Sequence, residues 1–311
     1  MRLNYDTFTG RRSVFVLVAF LLILLFWAAY VVCAGQIVNF LSPHMGKNML
    51  VAAQMLIQNG LVVLAVLIAA ALTETKRSMK EKTGLQMDPG YSLRFLFPVF
   101  VLAALVTYGS QYGLTHLLKA FGHEPKPQSL VDFFRTLRPL AFAGFAAITV
   151  IAAPIAEELA FRHILYRLFR MVLFRKEAAV AVSLIFALFH VSVVTLIRTK
   201  PFPWEMLVVP VVPLFLLAMV LQWQYEKSKS VIPSVLLHAG FNLTTVFLLV
   251  LEVAYGKPQE APAAEESAAP AETAVEAPAE NGETVVPAEN DSAAPMAVPV
   301  QGVVESWDFC G

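Results

Sequence analysis

Long apolar segments separated by short polar stretches make up most of residues 1–255. A helix needs roughly 20 apolar residues to cross the hydrocarbon core of a bilayer, and about seven segments approach or exceed that length. In hydrocarbon every backbone N–H and C=O must be paired within the protein, and runs of this length pair them as helices. The sequence therefore predicts an all-α, polytopic transmembrane helix bundle of about seven to eight helices. The segments are residues 14–40, 49–73, 93–118, 139–173, 178–197, 206–225 and 231–254.

The composition indicates that residues 1–255 lie in a membrane and that residues 256–311 do not. Of the 311 residues, 58% are hydrophobic and only 15% are charged, which is too apolar for a soluble domain of this size. Residues 1–255 carry 22 Lys and Arg against 12 Asp and Glu, whereas residues 256–311 carry 1 against 11 and are rich in Ala, Pro, Glu and Val. A segment of that composition buries too little apolar surface to offset its conformational entropy. We therefore predict a membrane domain at residues 1–255 and a disordered acidic tail at 256–311.

The Lys and Arg residues of the membrane domain indicate its orientation. The N-terminus and the segments 74–94, 162–176 and 226–230 hold fifteen of them, while the other side holds eight when Lys257 at the start of the tail is included. Because Lys and Arg accumulate in cytoplasmic loops, the fifteen predict the cytoplasmic side and place the acidic tail outside. Such loops and anionic lipid headgroups account for the positive charge, and the sequence carries no nucleic-acid motif. The predicted partners therefore include the lipid bilayer and no nucleic acid.

Ionisable side chains within the apolar segments are the candidate functional residues, because each costs about 2.5 to 3.5 kcal/mol at membrane depth. Glu157 and Glu158 follow the apolar stretch 148–156, and Arg162 lies four residues after Glu158. On a helix this spacing places Glu158 and Arg162 on one face, where they can pair. Glu157 is rotated from Glu158 by about 100° and is therefore free to face a cavity.

Two later segments each contribute a histidine. His190 closes the apolar run 181–189, and His238 lies one helical turn before Asn242. His238 and Asn242 then share a helix face, and both can donate hydrogen bonds to one oxygen. Three predicted helices therefore each direct a polar cluster inward, which is how helix bundles assemble sites in their cores.

Each cluster alone also has a structural explanation. A Glu–Arg pair one turn apart is usually a helix-stabilising ion pair, a single buried histidine is usually a hydrogen-bonded core residue, and an asparagine such as Asn242 can join two helices. Taken together the clusters are harder to explain in this way, because membrane interiors tolerate such groups only where they pair or serve a pathway. The combination therefore favours a functional site.

The three clusters, in this order, resemble the signature of the CPBP family, which comprises CAAX prenyl proteases of the Ras-converting type and bacteriocin-processing, Abi-like enzymes. That family carries Glu-Glu-x-x-x-Arg, Phe-x-x-x-His and His-x-x-x-Asn or Asp. The resemblance covers about residues 135–250, the motif-bearing core of the membrane domain. The matching residues are Glu157-Glu158-Leu159-Ala160-Phe161-Arg162, Phe186-Ala187-Leu188-Phe189-His190 and His238-Ala239-Gly240-Phe241-Asn242.

The resemblance implies a multi-pass membrane protease domain at residues 1–255, with a cavity that opens towards the cytosol and hydrolysis without a covalent acyl-enzyme. Phe186, one turn before His190, is expected to pack beside it. The implied roles are water activation by Glu157 and His190, an oxyanion hole formed by His238 and Asn242, and a pocket shaped by Arg162, which holds Glu158.

The same side chains permit a metal-dependent alternative. Two histidines and a carboxylate are ordinary zinc ligands, and a bound zinc brings the pKa of its water near neutrality. The sequence has no His-Glu-x-x-His motif on one helix, which is the usual zinc-protease pattern. We therefore favour a mechanism without a cofactor and keep zinc as the alternative, with Glu157, His190 and His238 as its ligands.

The sequence thus favours an intramembrane endopeptidase that hydrolyses a peptide bond of a membrane-anchored peptide or protein. One alternative is a catalytically inactive membrane scaffold or bacteriocin-immunity protein of the same fold. Another is a transporter that uses the buried charges as a path, which is disfavoured because no inverted repeat is visible. Short loops, an Ala/Pro/Glu-rich tail and no recognisable organelle retrieval signal favour a prokaryotic plasma membrane.

Overall fold

The computed structural model of the chain describes residues 10–73, 84–87, 89–123, 137, 139–191 and 204–255. Helices make up nearly all of this part, and no strand occurs within it. The prediction of an all-α fold is therefore confirmed. The predicted acidic tail, residues 256–311, lies outside the described residues.

Seven helices form the described bundle, and six of them are long and apolar enough to cross a membrane; the exception is α5. A short 3₁₀ turn at Leu93–Phe95 leads into α3. The helices are α1 (Gly10–Leu41), α2 (Lys47–Leu72), α3 (Leu96–Ala120), α4 (Pro139–Phe169), α5 (Arg175–Phe189), α6 (Trp204–Ser228) and α7 (Val231–Tyr255).

The outer surface of the bundle is apolar. Leu25 is 60% exposed, Val32 75% and Phe97 74%, and many other large apolar side chains face outward with them. Exposed apolar surface on this scale is unfavourable in water and is covered by lipid in a bilayer. The chain is therefore an integral, multi-pass membrane protein, as the sequence predicts.

The fifth apolar segment differs from the prediction of a helix over 178–197. Its helix, α5, begins at Arg175 and ends at Phe189. Fifteen residues span about 22 Å at 1.5 Å per residue, which is less than the hydrocarbon core of about 30 Å. His190 therefore lies at the end of a short helix, inside the bundle. The part of the predicted segment after residue 191 lies outside the described residues.

α4 departs twice from α-helical hydrogen bonding. Wider π-helical turns occupy Ile148–Ala152 and Glu158–Leu165. Pro154 follows the first of them, and proline lacks an N–H and clashes with the carbonyl four residues earlier, so a regular α-helical turn is disfavoured there. π-turns occur frequently at functional sites, and these two lie on either side of Glu157.

Three clusters of buried apolar side chains hold the helices together. The first joins α1, α2, α4 and α5 through small, fully buried residues such as Ala19, Ala69 and Ala178, which allow helices in a membrane to approach closely. The second joins α3, α6 and α7 around Leu217. The third joins α2 and α4 around Phe145. The polar site lies between these clusters.

The chain crosses the bundle in alternating directions, which gives the bundle two distinct ends. The starts of α1, α3, α5 and α7 meet the ends of α2, α4 and α6 at what we call the basic end. There the N–H of Val231 donates to the carbonyl of Gly84, 3.0 Å away. At the opposite, far end, His123 after α3 pairs with Glu205 in the first turn of α6, with 2.7 Å between Nδ1 and Oε1.

Replacing Gly84 with alanine tests how the loop before α3 is held at the basic end. Gly84 has a φ of +75°, and a Cβ at this position would lie 2.5 Å from Nδ1 of the buried His163. The left-handed backbone costs an L-residue roughly 1–2 kcal/mol, and the steric overlap adds to that cost. We therefore expect a clear fall in the melting temperature of the detergent-purified protein.

Gly122→Ala is the matched control. Gly122 has a φ of +79°, and no described atom lies within 4 Å of an added Cβ. This variant should therefore lose only the backbone contribution. An equal fall in melting temperature in the two variants would mean that overlap between the added Cβ at position 84 and His163 does not destabilise the protein.

Candidate active site

Three of the candidate residues converge from three different helices. Glu157 of α4 places its Oε2 atom 3.8 Å from Nε2 of His190, at the end of α5. The same Oε2 atom lies 3.8 Å from Nε2 of His238 in α7. Among the described residues, Oε2 of Glu157 has no hydrogen-bond partner. One carboxylate oxygen and two imidazole nitrogens therefore face a common point.

His238 is oriented by a second carboxylate. Its Nδ1 atom lies 3.0 Å from Oε1 of Glu158, whose side chain is fully buried. An ionised carboxylate only accepts hydrogen bonds, so Nδ1 carries the proton and donates it. Nε2 of the neutral ring is then an unprotonated acceptor that faces Glu157, and it becomes a donor only when His238 takes up a second proton.

Arg162 neutralises the buried carboxylate from the other side. Its Nε atom lies 3.2 Å from Oε2 of Glu158, and both side chains are completely buried. The guanidinium group also lies over the ring of Phe186, 4.4 Å from its centroid, where the ring quadrupole attracts a cation. The predicted i,i+4 ion pair is therefore confirmed, and it forms the floor beneath His238.

His190 is fixed by the backbone of its own helix. Its Nδ1 atom donates to the carbonyl of Phe186, 2.8 Å away, because a carbonyl can only accept. The ring centroids of His190 and Phe186 lie 4.6 Å apart, as expected for residues one helical turn apart. Phe186 also contacts the ring of His238 at 5.8 Å and so packs between the two histidines. This arrangement leaves Nε2 of neutral His190 as an acceptor facing Glu157.

Asn242 lies one turn after His238 and lines the same cavity. Its Nδ2 atom donates to the carbonyl of Thr149, 2.9 Å away. Thr149 belongs to the first π-turn of α4, so this bond joins α7 to α4 beside Glu157. The amide has a second N–H that this bond does not use. No sequence pattern pointed to Thr149, because a backbone carbonyl leaves no signature in residue type.

The converging side chains occupy one end of a cavity of about 350 Å³, a size typical of ligand pockets. Its walls are mostly apolar, with Phe145 of α4 and Leu249 of α7 among them. α3 and α6 also line it, through Tyr108 and Pro213 for example. The sequence did not indicate that α3 and α6 are cavity walls, because their lining residues differ in no way from ordinary apolar or helix-interior positions.

The spacing of Oε2 of Glu157 from the Nε2 atoms of His190 and His238 suits a water molecule better than a tetrahedral zinc ion. Zinc with bonds of 2.0–2.1 Å holds neighbouring ligand atoms about 3.3–3.4 Å apart, whereas both separations from Glu157 are 3.8 Å. A water oxygen that lies about 2.8 Å from each of two atoms 3.8 Å apart can form a hydrogen bond to both. The angle between these two hydrogen bonds is then about 85°. Within the described part of the chain, no group of three His, Cys, Asp or Glu side chains is arranged to hold a metal ion.

Comparison with known families agrees with the motif resemblance. Residues 139–244 match the family model described as Rce1-like, type II CAAX prenyl endopeptidase Rce1-like. The matched residues span α4 to the middle of α7 and include every candidate site residue, so the family resemblance is confirmed. No curated protein and no solved structure matches the chain significantly.

Replacing Glu158 with glutamine tests the buried ion pair of Glu158 and Arg162, which we call the charge layer. The variant leaves the guanidinium of Arg162 buried without its counter-ion, and breaking a buried pair in this way costs about 3–5 kcal/mol. We expect a large loss in the free energy of unfolding, measured by denaturant titration in detergent micelles. The double variant Glu158→Gln/Arg162→Met removes both charges and should recover much of that loss.

The ion pair between Arg175 and Glu226 provides the comparison. Arg175 is 65% exposed, so Arg175→Gln should cost no more than about 1 kcal/mol. If Glu158→Gln is as mild as Arg175→Gln, the buried pair does not stabilise the bundle.

Proposed function

We propose that the chain hydrolyses a peptide bond of a membrane-anchored peptide or protein within the bilayer, because residues 139–244 match the family model of Rce1-like CAAX prenyl endopeptidases. The family is one of membrane endopeptidases. One observation carries the assignment of the catalytic residues: Oε2 of Glu157 and the Nε2 atoms of His190 and His238 converge at the inner end of the cavity.

Glu157 and His190 are the proposed acceptors for the attacking water. Each offers one acceptor atom, and the two atoms are 3.8 Å apart. A water between them donates one hydrogen to Oε2 and the other to Nε2, which directs an oxygen lone pair into the cavity. Glu157 then takes the proton as the water oxygen attacks the carbonyl carbon of the substrate. The same proton passes from Glu157 to the leaving amine when the tetrahedral intermediate collapses.

His238 and Asn242 are the proposed donors to the oxyanion. The second N–H of the Asn242 amide is available for this. His238 donates from Nε2 in its imidazolium form, which takes its second proton from solvent before the substrate binds and keeps it throughout the reaction. Glu158 has the supporting role of fixing the ring of His238 through Nδ1. Arg162 in turn holds Glu158, so the oxyanion donors depend on the charge layer beneath them.

The mechanism proposed here uses no cofactor, and zinc bound by Glu157, His190 and His238 is its alternative. Bound zinc would polarise the substrate carbonyl and generate hydroxide from water. The wide separations of the donor atoms support the metal-free mechanism. The substrate is proposed to be membrane-anchored because the cavity lies within the bundle, and the location is proposed to be a prokaryotic plasma membrane.

Cleavage by variants of the water-activating pair is the central test. We expect Glu157→Gln and His190→Ala each to lower kcat by about 10²–10⁴, the usual contribution of a positioned base. The assay uses purified protein in proteoliposomes with a library of membrane-anchored reporter peptides. Glu177→Gln is the control, because this exposed glutamate lies in the first turn of α5 and should leave cleavage unchanged.

A chelator added to the same assay separates the two mechanisms. Unchanged cleavage supports the glutamate mechanism, whereas loss on chelation with recovery on adding zinc identifies a metalloprotease. Cleavage that persists in Glu157→Gln would exclude Glu157 as the base. If the wild-type protein cleaves no member of the library but binds some of them, the chain is an inactive scaffold of the same fold.

Asn242→Leu tests the oxyanion hole. Removing one such donor lowers kcat by about 10²–10³, and because the donor acts on the transition state, KM should change little. Thr244→Val is the matched control on the same helix, since among the described residues its hydroxyl donates to the carbonyl of Gly240 within α7. A rise in KM with unchanged kcat would instead make Asn242 a substrate-binding residue.

A further inference from the structure

The first π-turn of α4 leaves one backbone carbonyl without a donor from its own helix. In an α-helix the carbonyl of Thr149 would accept from the N–H of Ala153, four residues later. Here the N–H of Ala153 donates to the carbonyl of Ile148 instead, in the wider π pattern. The next bond of that pattern would join Thr149 to the N–H of residue 154, but Pro154 has no N–H. Neither helical pattern therefore gives the carbonyl of Thr149 a backbone donor.

Asn242 supplies the missing donor from another helix. Its Nδ2 atom donates to the carbonyl of Thr149, 2.9 Å away. Backbone carbonyls inside a membrane bundle are stable only where they are paired, so this acceptor favours a side-chain donor from the neighbouring helix. Asn242 and Thr149 both line the cavity that Glu157 lines. One N–H of the Asn242 amide is thereby held, and because the amide is planar, the direction of its second N–H is restricted as well.

Pro154 is close to these residues in the chain but is separate from the cavity. It is buried, and it is not among the described residues that line the cavity. It lies in the first turn of the α-helical segment Ala153–Glu157, where proline is tolerated because an N–H in the first turn needs no helical partner. Pro154 therefore acts on the site through its neighbours, by the hydrogen bond that it leaves open.

We propose that Pro154 is a positioning residue for Asn242. The N–H that proline lacks leaves the carbonyl of Thr149 free to hold the Asn242 amide, with the second N–H directed towards the substrate. The catalytic consequence rests on the proposed function, in which Asn242 donates to the oxyanion. The link between Pro154 and Asn242 rests on the hydrogen bonds alone. An alanine at position 154 would bring an N–H that competes with Asn242 for this carbonyl.

A double-mutant cycle on unfolding tests the link without any assay of cleavage. Asn242→Leu leaves the carbonyl of Thr149 without a donor, so the denaturant midpoint of the full-length protein in detergent micelles should fall. In the Pro154→Ala background the new N–H replaces the lost donor, and we expect about half of that fall or less. Pro210→Ala removes a proline inside α6 instead. In that background Asn242→Leu should lower the midpoint as much as it does in the wild type.

Cleavage kinetics in proteoliposomes test the catalytic consequence. We expect Pro154→Ala to lower kcat about tenfold, part of the loss of about 10²–10³ that follows removal of an oxyanion donor, with KM little changed. In the Asn242→Leu background the same change should have no further effect on kcat, because the group that it displaces is already absent. The α-hydroxy analogue of alanine, installed at position 154 by nonsense suppression, has neither the ring nor an N–H and should retain the wild-type kcat.

Two results would overturn the proposal. If Asn242→Leu lowers the midpoint equally in the wild-type and Pro154→Ala backgrounds, residue 154 does not act on Asn242. If the α-hydroxy analogue lowers kcat as much as Pro154→Ala does, the ring of proline matters and its missing N–H does not.

The α-hydroxy analogue also keeps the test decisive if Pro154→Ala does not fold. In its background a full fall of the midpoint on Asn242→Leu supports the link through the missing N–H, and a reduced fall overturns it. The unfolding measurements need no enzymatic activity, so a failure of the proposed hydrolysis is distinguishable from a failure of the proposed link.

Discussion

Glu158 lies within the bundle with no exposed surface, and a carboxylate at membrane depth is stable only where other groups replace water. Arg162 supplies the opposite charge at 3.2 Å and His238 an N–H donor at 3.0 Å. The ring of Phe186 covers the guanidinium. Because these partners come from α4, α5 and α7, satisfying one buried charge fixes the relative positions of the three helices that carry the site.

Glu157 differs from its neighbour in what surrounds it. Glu158 has both carboxylate oxygens near fixed partners, whereas Oε2 of Glu157 faces two nitrogens that are too distant for direct hydrogen bonds. The helical period turns the two carboxylates in different directions, one into the packed interior and one into the cavity. The adjacent residues can therefore serve different purposes, one packed into the interior to hold the site and the other lining the cavity.

Much of this arrangement is predictable from the sequence, because membrane helices and buried charges leave strong signals in residue type. The apolar segments predicted six of the seven helices well, and the pairing of Glu158 with Arg162 followed from their spacing. The sequence did not predict the early end of α5 or the two π-turns of α4. The residues remain hydrophobic across these positions, while the backbone hydrogen-bonding pattern changes. The bond from Asn242 to Thr149 depends on the packing of two helices, which no local pattern contains.

The buried ion pair of Glu158 and Arg162 also explains the close packing beneath His238. Attraction between Arg162 and Glu158 is strong enough to offset their desolvation only where water is excluded and the geometry is held. An opening on that side would hydrate the pair and loosen His238, so close packing beneath the site is a requirement of the site itself. The closely packed floor beneath His238 is thus a consequence of burying this ion pair beside Glu157.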